Sequence, residues 1–264
     1  MVPGTSNPCY IATSFGGVAR NVAENLARLG REAALVSRVG ADEAGRAVVA
    51  HLAALGVDTS GVTVAPRPTA SYTAVLDPEG ELVMGLADMD LYDEVAVEAA
   101  PDGVRFLDTN LPRGTIERLL PAAVDAISVV KARKLRGLLP RVSILFANTA
   151  QAASIAGVDG FADATAAAGA LYRLGARAGV ITAGAVGIAV WSGDCVEAMA
   201  ALPATPRNVT GAGDALIAGT LFGVTEGLPL KEAARLGLAA AAITVESGAT
   251  VAEGLTAERM RARR

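Results

Sequence analysis

The stretch Arg207–Leu221, RNVTGAGDALIAGTL, sets two glycines and an aspartate directly ahead of an apolar run. Gly211 and Gly213 leave the backbone bare, so a ligand can come close to its N–H groups. The run from Asp214 onward reads as a helix, and a helix N-terminus carries partial positive charge that suits an oxyanion or a phosphate. Asp214 adds a carboxylate beside that anion site, where it can accept the proton of an attacking hydroxyl. An anion cradle next to a base is the equipment for phosphoryl transfer to an alcohol. The same Gly-Ala-Gly-Asp also describes a plain loop with a helix cap, so four residues do not decide between the two. The chain has no G-x-x-x-x-G-K-[ST] phosphate loop.

A second constellation favours the chemistry. In SFGGVARNVAENLARLG, Ser14–Gly30, the pair Gly16-Gly17 precedes Asn21 by four residues at a helix opening. There the Asn21 amide can hydrogen-bond a polyol. With these two motifs in this order, the chain resembles the ribokinase-like (PfkB-type) carbohydrate kinases over nearly its whole length. Within that family the likeness is greatest to pseudouridine kinases, through GTSNP (4–8), SYTAVLDPEGELVMGLADMD (71–90), NVTGAGDAL (208–216) and ESGATVAEGLT (246–256).

The resemblance implies a role for each matching position. Asp214 is the base that deprotonates the 5′-hydroxyl of a nucleoside, and the backbone of Gly211, Ala212 and Gly213 forms the anion hole. Gly17 and Asn21 hold the ribose, while Ser6 and Asn7 contact the base or belong to a lid. Thr182, Gly184 and Gly187 line the ATP site, and Asn148 lies near the phosphates and Mg²⁺. The hairpin Ser71–Ala87 forms part of the lid, with lid elements around 1–13 and 62–90, and in relatives it carries homodimer contacts. Several relatives also respond to a monovalent cation such as K⁺. A kinase for another ribonucleoside or a furanose sugar, and a ligand-binding remnant without turnover, remain the rival readings.

Three departures from the family pattern bear on that choice. The family opens with a central strand carrying Gly and Asp, whereas this sequence starts at MVPGTSNP; either the start is misplaced or the strand and its substrate ligand are lacking, and in the second case its neighbours' edges are expected to be bare. The family's Asn-x-x-Glu reads NTAQ, so Gln151 replaces the carboxylate that helps organise Mg²⁺, and a hard cation prefers the charged ligand. Finally, IERLLPAAVDAISVVKARKLRGLL is compressed relative to the family, which predicts a strained parallel crossover.

The elements that must carry these residues alternate. Val18, Val22, Leu26 and Leu29 share a helical face ending at Gly30. AALVSRVG reads as a strand, and DEAGRAVVAHLAALG as a helix with Asp42 as N-cap and Gly56 past its end. DPEG between SYTAVL and ELVMGLA predicts a hairpin on a type I turn. Val104–Asp108, Val142–Ala147, Ala178–Gly184 and GIAVWSG read as buried strands, and the last third as two Ala-rich helices. The expected fold is an α/β/α sandwich with a mostly parallel sheet in one kinase domain, 1–264, with a small hairpin lid and its first strand missing.

Composition agrees. Of 264 residues, 52% are hydrophobic and 19% charged, which is ordinary for a globular chain. A net charge of −4 argues against a nucleic-acid binder. The basic cluster ERMRARR, Glu258–Arg264, reads as the solvated end of a last helix. Cys9 and Cys195 form no C-x-x-C pair, and His51 is the single histidine, so a thiolate or imidazole metal site is not expected. The start lacks basic and apolar signal-peptide regions, no apolar run reaches the ~18 residues of a membrane span, and a cytoplasmic protein is expected.

Overall fold

The computed structural model describes residues 4–77, 82–95, 97 and 102–264. Residues 4–16 run as an exposed arm without regular structure, apart from the half-buried Phe15. Then α1 (Val18–Arg28), β1 (Ser37–Gly40), α2 (Glu43–Ala54) and β2 (Val62–Ala65) follow, with β1 and β2 paired in parallel. Asp42 caps α2 by accepting from Gly45 N at 2.8 Å, as its sequence position predicts. β3 (Ser71–Leu76) and β4 (Leu82–Asp88) form the antiparallel hairpin. Most of its expected DPEG turn lies outside the described residues.

The rest of the chain builds a six-stranded sheet. β5 (Phe106–Asp108), α3 (Arg113–Leu119), β6 (Ala122–Asp125), α4 (Val129–Ala132), β7 (Val142–Asn148), α5 (Thr149–Ala156), α6 (Ala164–Arg173) and β8 (Ala178–Thr182) come first. β9 (Gly187–Ser192), β10 (Cys195–Ala200), α7 (Ala212–Thr225), α8 (Leu230–Ser247) and α9 (Ala257–Ala262) follow. The strand order is β10-β9-β8-β7-β6-β5, parallel from β5 to β8 and antiparallel at β9 and β10.

Alternation along the strands builds two cores, because successive side chains point to opposite faces. Leu145, Ala147, Ile181 and Trp191 face one way, against Ile116, Ala152 and Ala168 of α3, α5 and α6. Phe146, Val180, Ile188 and Val190 face the other way, against Val22, Leu216 and Leu238 of α1, α7 and α8. The helix pair α7–α8 comes close where Gly219 meets Gly237 and Gly223 meets Ala233; a Cβ at any of these glycines would lie under 3 Å from the facing helix.

The expected strained crossover is corrected. The seven-residue α3 brings the chain back, and β5 and β6 pair in parallel with Phe106 opposite Ala123 and Asp108 opposite Asp125. A short helix suffices because adjacent strands need only one step sideways.

Among the described residues β5 ends the six-stranded sheet, and β1 has β2 as its single strand partner. Between them lies a trough of about 760 Å³, walled by Leu35–Ser37 on one side and Phe106–Asp108 on the other, with Val22 and Leu26 of α1 against it.

Candidate active site

Four successive strands end in polar residues at one edge of the sheet: Asp108 on β5, Asp125 on β6, Asn148 on β7 and Thr182 on β8. Carboxyl ends of parallel strands are where α/β proteins place ligands. α7 starts against this edge. Gly211 sits at its N-cap with φ of 83°, and no side chain caps the helix. The glycine is required there, since a Cβ would lie 1.9 Å from the Thr250 carbonyl oxygen. Ala212 N already donates to Val209 O at 3.3 Å. In the first helical turn, N–H groups such as those of Gly213 and Asp214 have no carbonyl one turn back to bond. That uncapped terminus lies where the sequence leads one to expect an anion hole.

Asp214 is drawn across the site by α1. Asn21 Nδ2 donates to Asp214 Oδ2 at 2.6 Å. Together Asp125, Asn148, Gln151, Thr182, Gly213 and Asp214 line a cavity of about 210 Å³. Gly17 lies instead on the trough, where its φ of 99° opens α1. Ser6 and Asn7 lie on the exposed arm, and neither lines either cavity. Gly184 and Gly187, with φ of 58° and 126°, shape the turn into β9 beyond Thr182 and line neither cavity.

Asp108 and Asp125 are the residues that reading the sequence overlooks. Each is an acid closing a buried parallel strand, and that was the available signal. They stand opposite each other in register, and their proximity matters electrostatically. Burial pushes the Asp125 carboxyl up to about 8, helped by the nearby Asp214 and Asp108 charges. Burial likewise raises Asp214 to about 6, against the lowering effect of the Asn21 hydrogen bond and of the Arg20 charge. Asp108 is raised by burial although the N–H groups of Asn110 and Ala19 donate to it. A carboxyl near 6 is a competent base at neutral pH, ionised yet basic enough to take a proton.

Gln151 completes a capping box. Its Oε1 accepts from Asn148 N at 2.8 Å while Asn148 Oδ1 accepts from Gln151 N at 2.8 Å. Its Nε2 donates to Ile127 O at 2.7 Å. Ile127 has φ of 54°, an unusual conformation for a β-branched residue, and its own N–H donates to Asp125 Oδ2 at 3.2 Å. Gln151 and Asp125 thus clamp a strained backbone at the rim of the cavity.

Comparisons with known proteins identify the family. The family model described as pfkB family carbohydrate kinase matches residues 5–102 and 114–256. The chain belongs to the PfkB family of carbohydrate kinases. The pseudouridine kinase of Escherichia coli (strain K12) is 30% identical over 249 residues, 87% of this chain and 79% of that protein. The cytidine kinase of Thermococcus kodakarensis is 30% identical over 247 residues, 86% of each. Among solved structures, a carbohydrate kinase from Agrobacterium tumefaciens superposes with a TM-score of 0.84 at 35% identity, covering 100% of this chain and 90% of that one. The fold is therefore ribokinase-like, and the chain is a sugar or nucleoside kinase of that family. Among the described residues no helix is long and apolar enough to cross a membrane.

Proposed function

We propose that this kinase transfers the γ-phosphoryl group of ATP to the 5′-hydroxyl of pseudouridine. The observation that carries the reading is Asp214, raised to about 6, directly behind the uncapped start of α7. The likeness to pseudouridine kinase at 30% identity supports the choice of nucleoside. The equal identity to a cytidine kinase makes a cytidine-type acceptor the second reading.

In this mechanism Asp214 takes the proton from the 5′-oxygen as that oxygen attacks the γ-phosphorus. The new O–P bond forms, the bond to the departing ADP breaks, and the N–H groups at the start of α7 bear the charge on the transferring group. Gly17 and Asn21 hold the ribose in this reading, with Ser6 and Asn7 closing over the base. Thr182, Gly184, Gly187 and Asn148 serve ATP.

Mg²⁺ fits the residues present in a reduced form. No group of three or more His, Cys, Asp or Glu placed to hold a metal occurs among the described residues. However, Mg²⁺ typically needs only one or two carboxylates beside substrate phosphates. Asp125 would supply the carboxylate, and Asn148 and Gln151 amide oxygens near it. When bound, the ion neutralises charge on the phosphate oxygens.

The test is ATP consumption with pseudouridine, cytidine, uridine, adenosine and ribose in parallel, with Mg²⁺ and with Asp214→Asn as control. Turnover greatest with pseudouridine, at O5′ by phosphorus–proton NMR and abolished in the control, is the expected result. Greater turnover with another acceptor replaces pseudouridine, and none with any acceptor overturns the reading.

A further inference from the structure

Arg20 is the residue beside the site that the proposed mechanism leaves without a task. It is a charged side chain only 6% exposed, one position before Asn21 on α1. Its guanidinium is used almost to capacity. Nη1 pairs with Glu24, Nη2 donates to Phe15 O at 2.7 Å and also to Asn21 Oδ1, and Nε donates to Gly16 O at 3.2 Å. Glu24, 3% exposed, is itself pinned by Arg28 Nη2 at 2.7 Å and by His51 Nε2 at 3.1 Å. The Phe15 ring lies against His51 with centroids 4.9 Å apart.

The order of these contacts has a direction. The outer residues fix Glu24, Glu24 fixes the guanidinium plane, and the guanidinium donates to the oxygen of Asn21. The opposite end of that amide is the nitrogen that donates to Asp214. An amide can be turned over at little steric cost, which exchanges its oxygen and nitrogen. Turned over here, it would aim its oxygen at the Asp214 carboxylate and its nitrogen at a cation. The Arg20 fork makes that orientation unfavourable.

We propose that Arg20 is a positioning residue, which locks the Asn21 amide so that its nitrogen stays on Asp214. Arg20 touches neither acceptor nor phosphate in this scheme; it acts through Asn21. The functional side of the proposal rests on Asp214 being the base, as proposed above, whereas the structural coupling stands apart from any substrate. A lysine cannot replace the arginine, because an ammonium keeps the charge toward Glu24 and Asp214 but lacks the planar fork that reaches Asn21, Phe15 and Gly16 together.

The charged and titratable groups around Asp214 are Arg20 of α1, Asp108 of β5 and Asp125 of β6, with the Asn21 amide in direct contact. A double-mutant cycle separates action through Asn21 from plain support of the fold. Carboxyl NMR titration of the free protein reads the Asp214 midpoint, its signal assigned by loss in Asp214→Asn. The variants are Arg20→Lys, Asn21→Ala and the pair, with Asn21→Ser in place of Asn21→Ala should the alanine variant not fold.

Each single change is expected to move the midpoint upward by at least about half a unit, since each loosens the donor on the carboxylate. The pair is expected to move it no further than Asn21→Ala alone. An unchanged midpoint in Arg20→Lys, or shifts that add in the pair, overturns the proposal. In turnover, Arg20→Lys is expected to lower kcat about tenfold with KM little changed, and a fall in KM-dependent binding alone also overturns it. Absence of turnover in the unaltered protein would sink the kinase reading, while the titration cycle would still decide the Arg20 coupling.

Discussion

Asn21 and Asp214 lie 193 positions apart and meet through a 2.6 Å hydrogen bond from amide to carboxylate. The bond ties the first described helix to the seventh across one edge of the sheet. It also opposes the burial that raises Asp214, so the acidity of the proposed base is shared between two distant segments.

The pH dependence follows from that balance. A base must be ionised to act, so kcat/KM is expected to fall about tenfold per pH unit below about 6, the value to which Asp214 is raised. Asp214→Asn should reduce kcat by about 100-fold or more at pH 7.5 while the protein stays folded. A pH–rate profile with no acid limb between pH 5 and 7 would contradict the assignment.

Asp125 gives a stability prediction of opposite emphasis. Its carboxyl titrates at 3.8 when unfolded and about 8 when folded, so the acid costs stability increasingly as pH rises from 3.8 to about 8. Asp125→Asn keeps an oxygen for the Ile127 N–H and removes the charge. The variant should be more stable than the parent at pH 8 by at least about 1 kcal/mol, seen as a higher unfolding temperature, with little difference near pH 4. Thermal melts of the free proteins at both pH values check this. If Asp125 also holds Mg²⁺, the same variant should require more of the ion in turnover assays.

Gly211→Ala should harm both fold and chemistry. At φ of 83° an alanine is strained, and its Cβ would have to displace the Thr250 carbonyl 1.9 Å away. A loss of about 2 kcal/mol or more is expected in denaturant unfolding, with kcat reduced more than in an equally destabilised core variant.

Gln151→Glu restores the carboxylate that the family pattern has. Its oxygen can still accept from Asn148 N, but the donor to Ile127 O, now at 2.7 Å, is lost. Stability should drop by about 1–3 kcal/mol, because a carboxylate would face a carbonyl. The Mg²⁺ concentration for half-maximal turnover should fall several-fold. A variant equally stable and equally demanding of Mg²⁺ would show that Gln151 is neither clamp nor ligand neighbour.

Local signals made much of this site readable in the sequence. The glycine-flanked Asp214 ahead of an apolar helix, the Gly-Gly before Asn21, and the Asp42 cap each lie within one turn of the feature they specify. β7, β8 and β9 were legible as apolar runs. β6 was not, because AAVD is four residues long and rich in alanine, a poor strand former, and β10 because CVEAMA has one β-branched residue among its six. The pairing of Asp108 with Asp125 depends on register between strands, which no single segment states. His51 falls inside the helical run DEAGRAVVAHLAALG with nothing local to mark it, and only the packing of α2 beside α1 brings it to Glu24.

The trough between β1 and β5 bears on cooperativity. A continuous ladder would make the β1–β2 pair share the fate of the main sheet, since opening one strand would break bonds to the next. Among the described residues that pair, with α2, holds to the rest through helix packing and loops, and the edge of β1 away from β2 meets a volume of about 760 Å³. Such a segment can open with less free energy than global unfolding. Amides of Val39 and Val64 should therefore exchange with solvent faster than those of Leu145 and Val180. The Arg20 fork sits on α1, which lines the trough, so the residue proposed to orient the base is anchored beside the segment expected to open first.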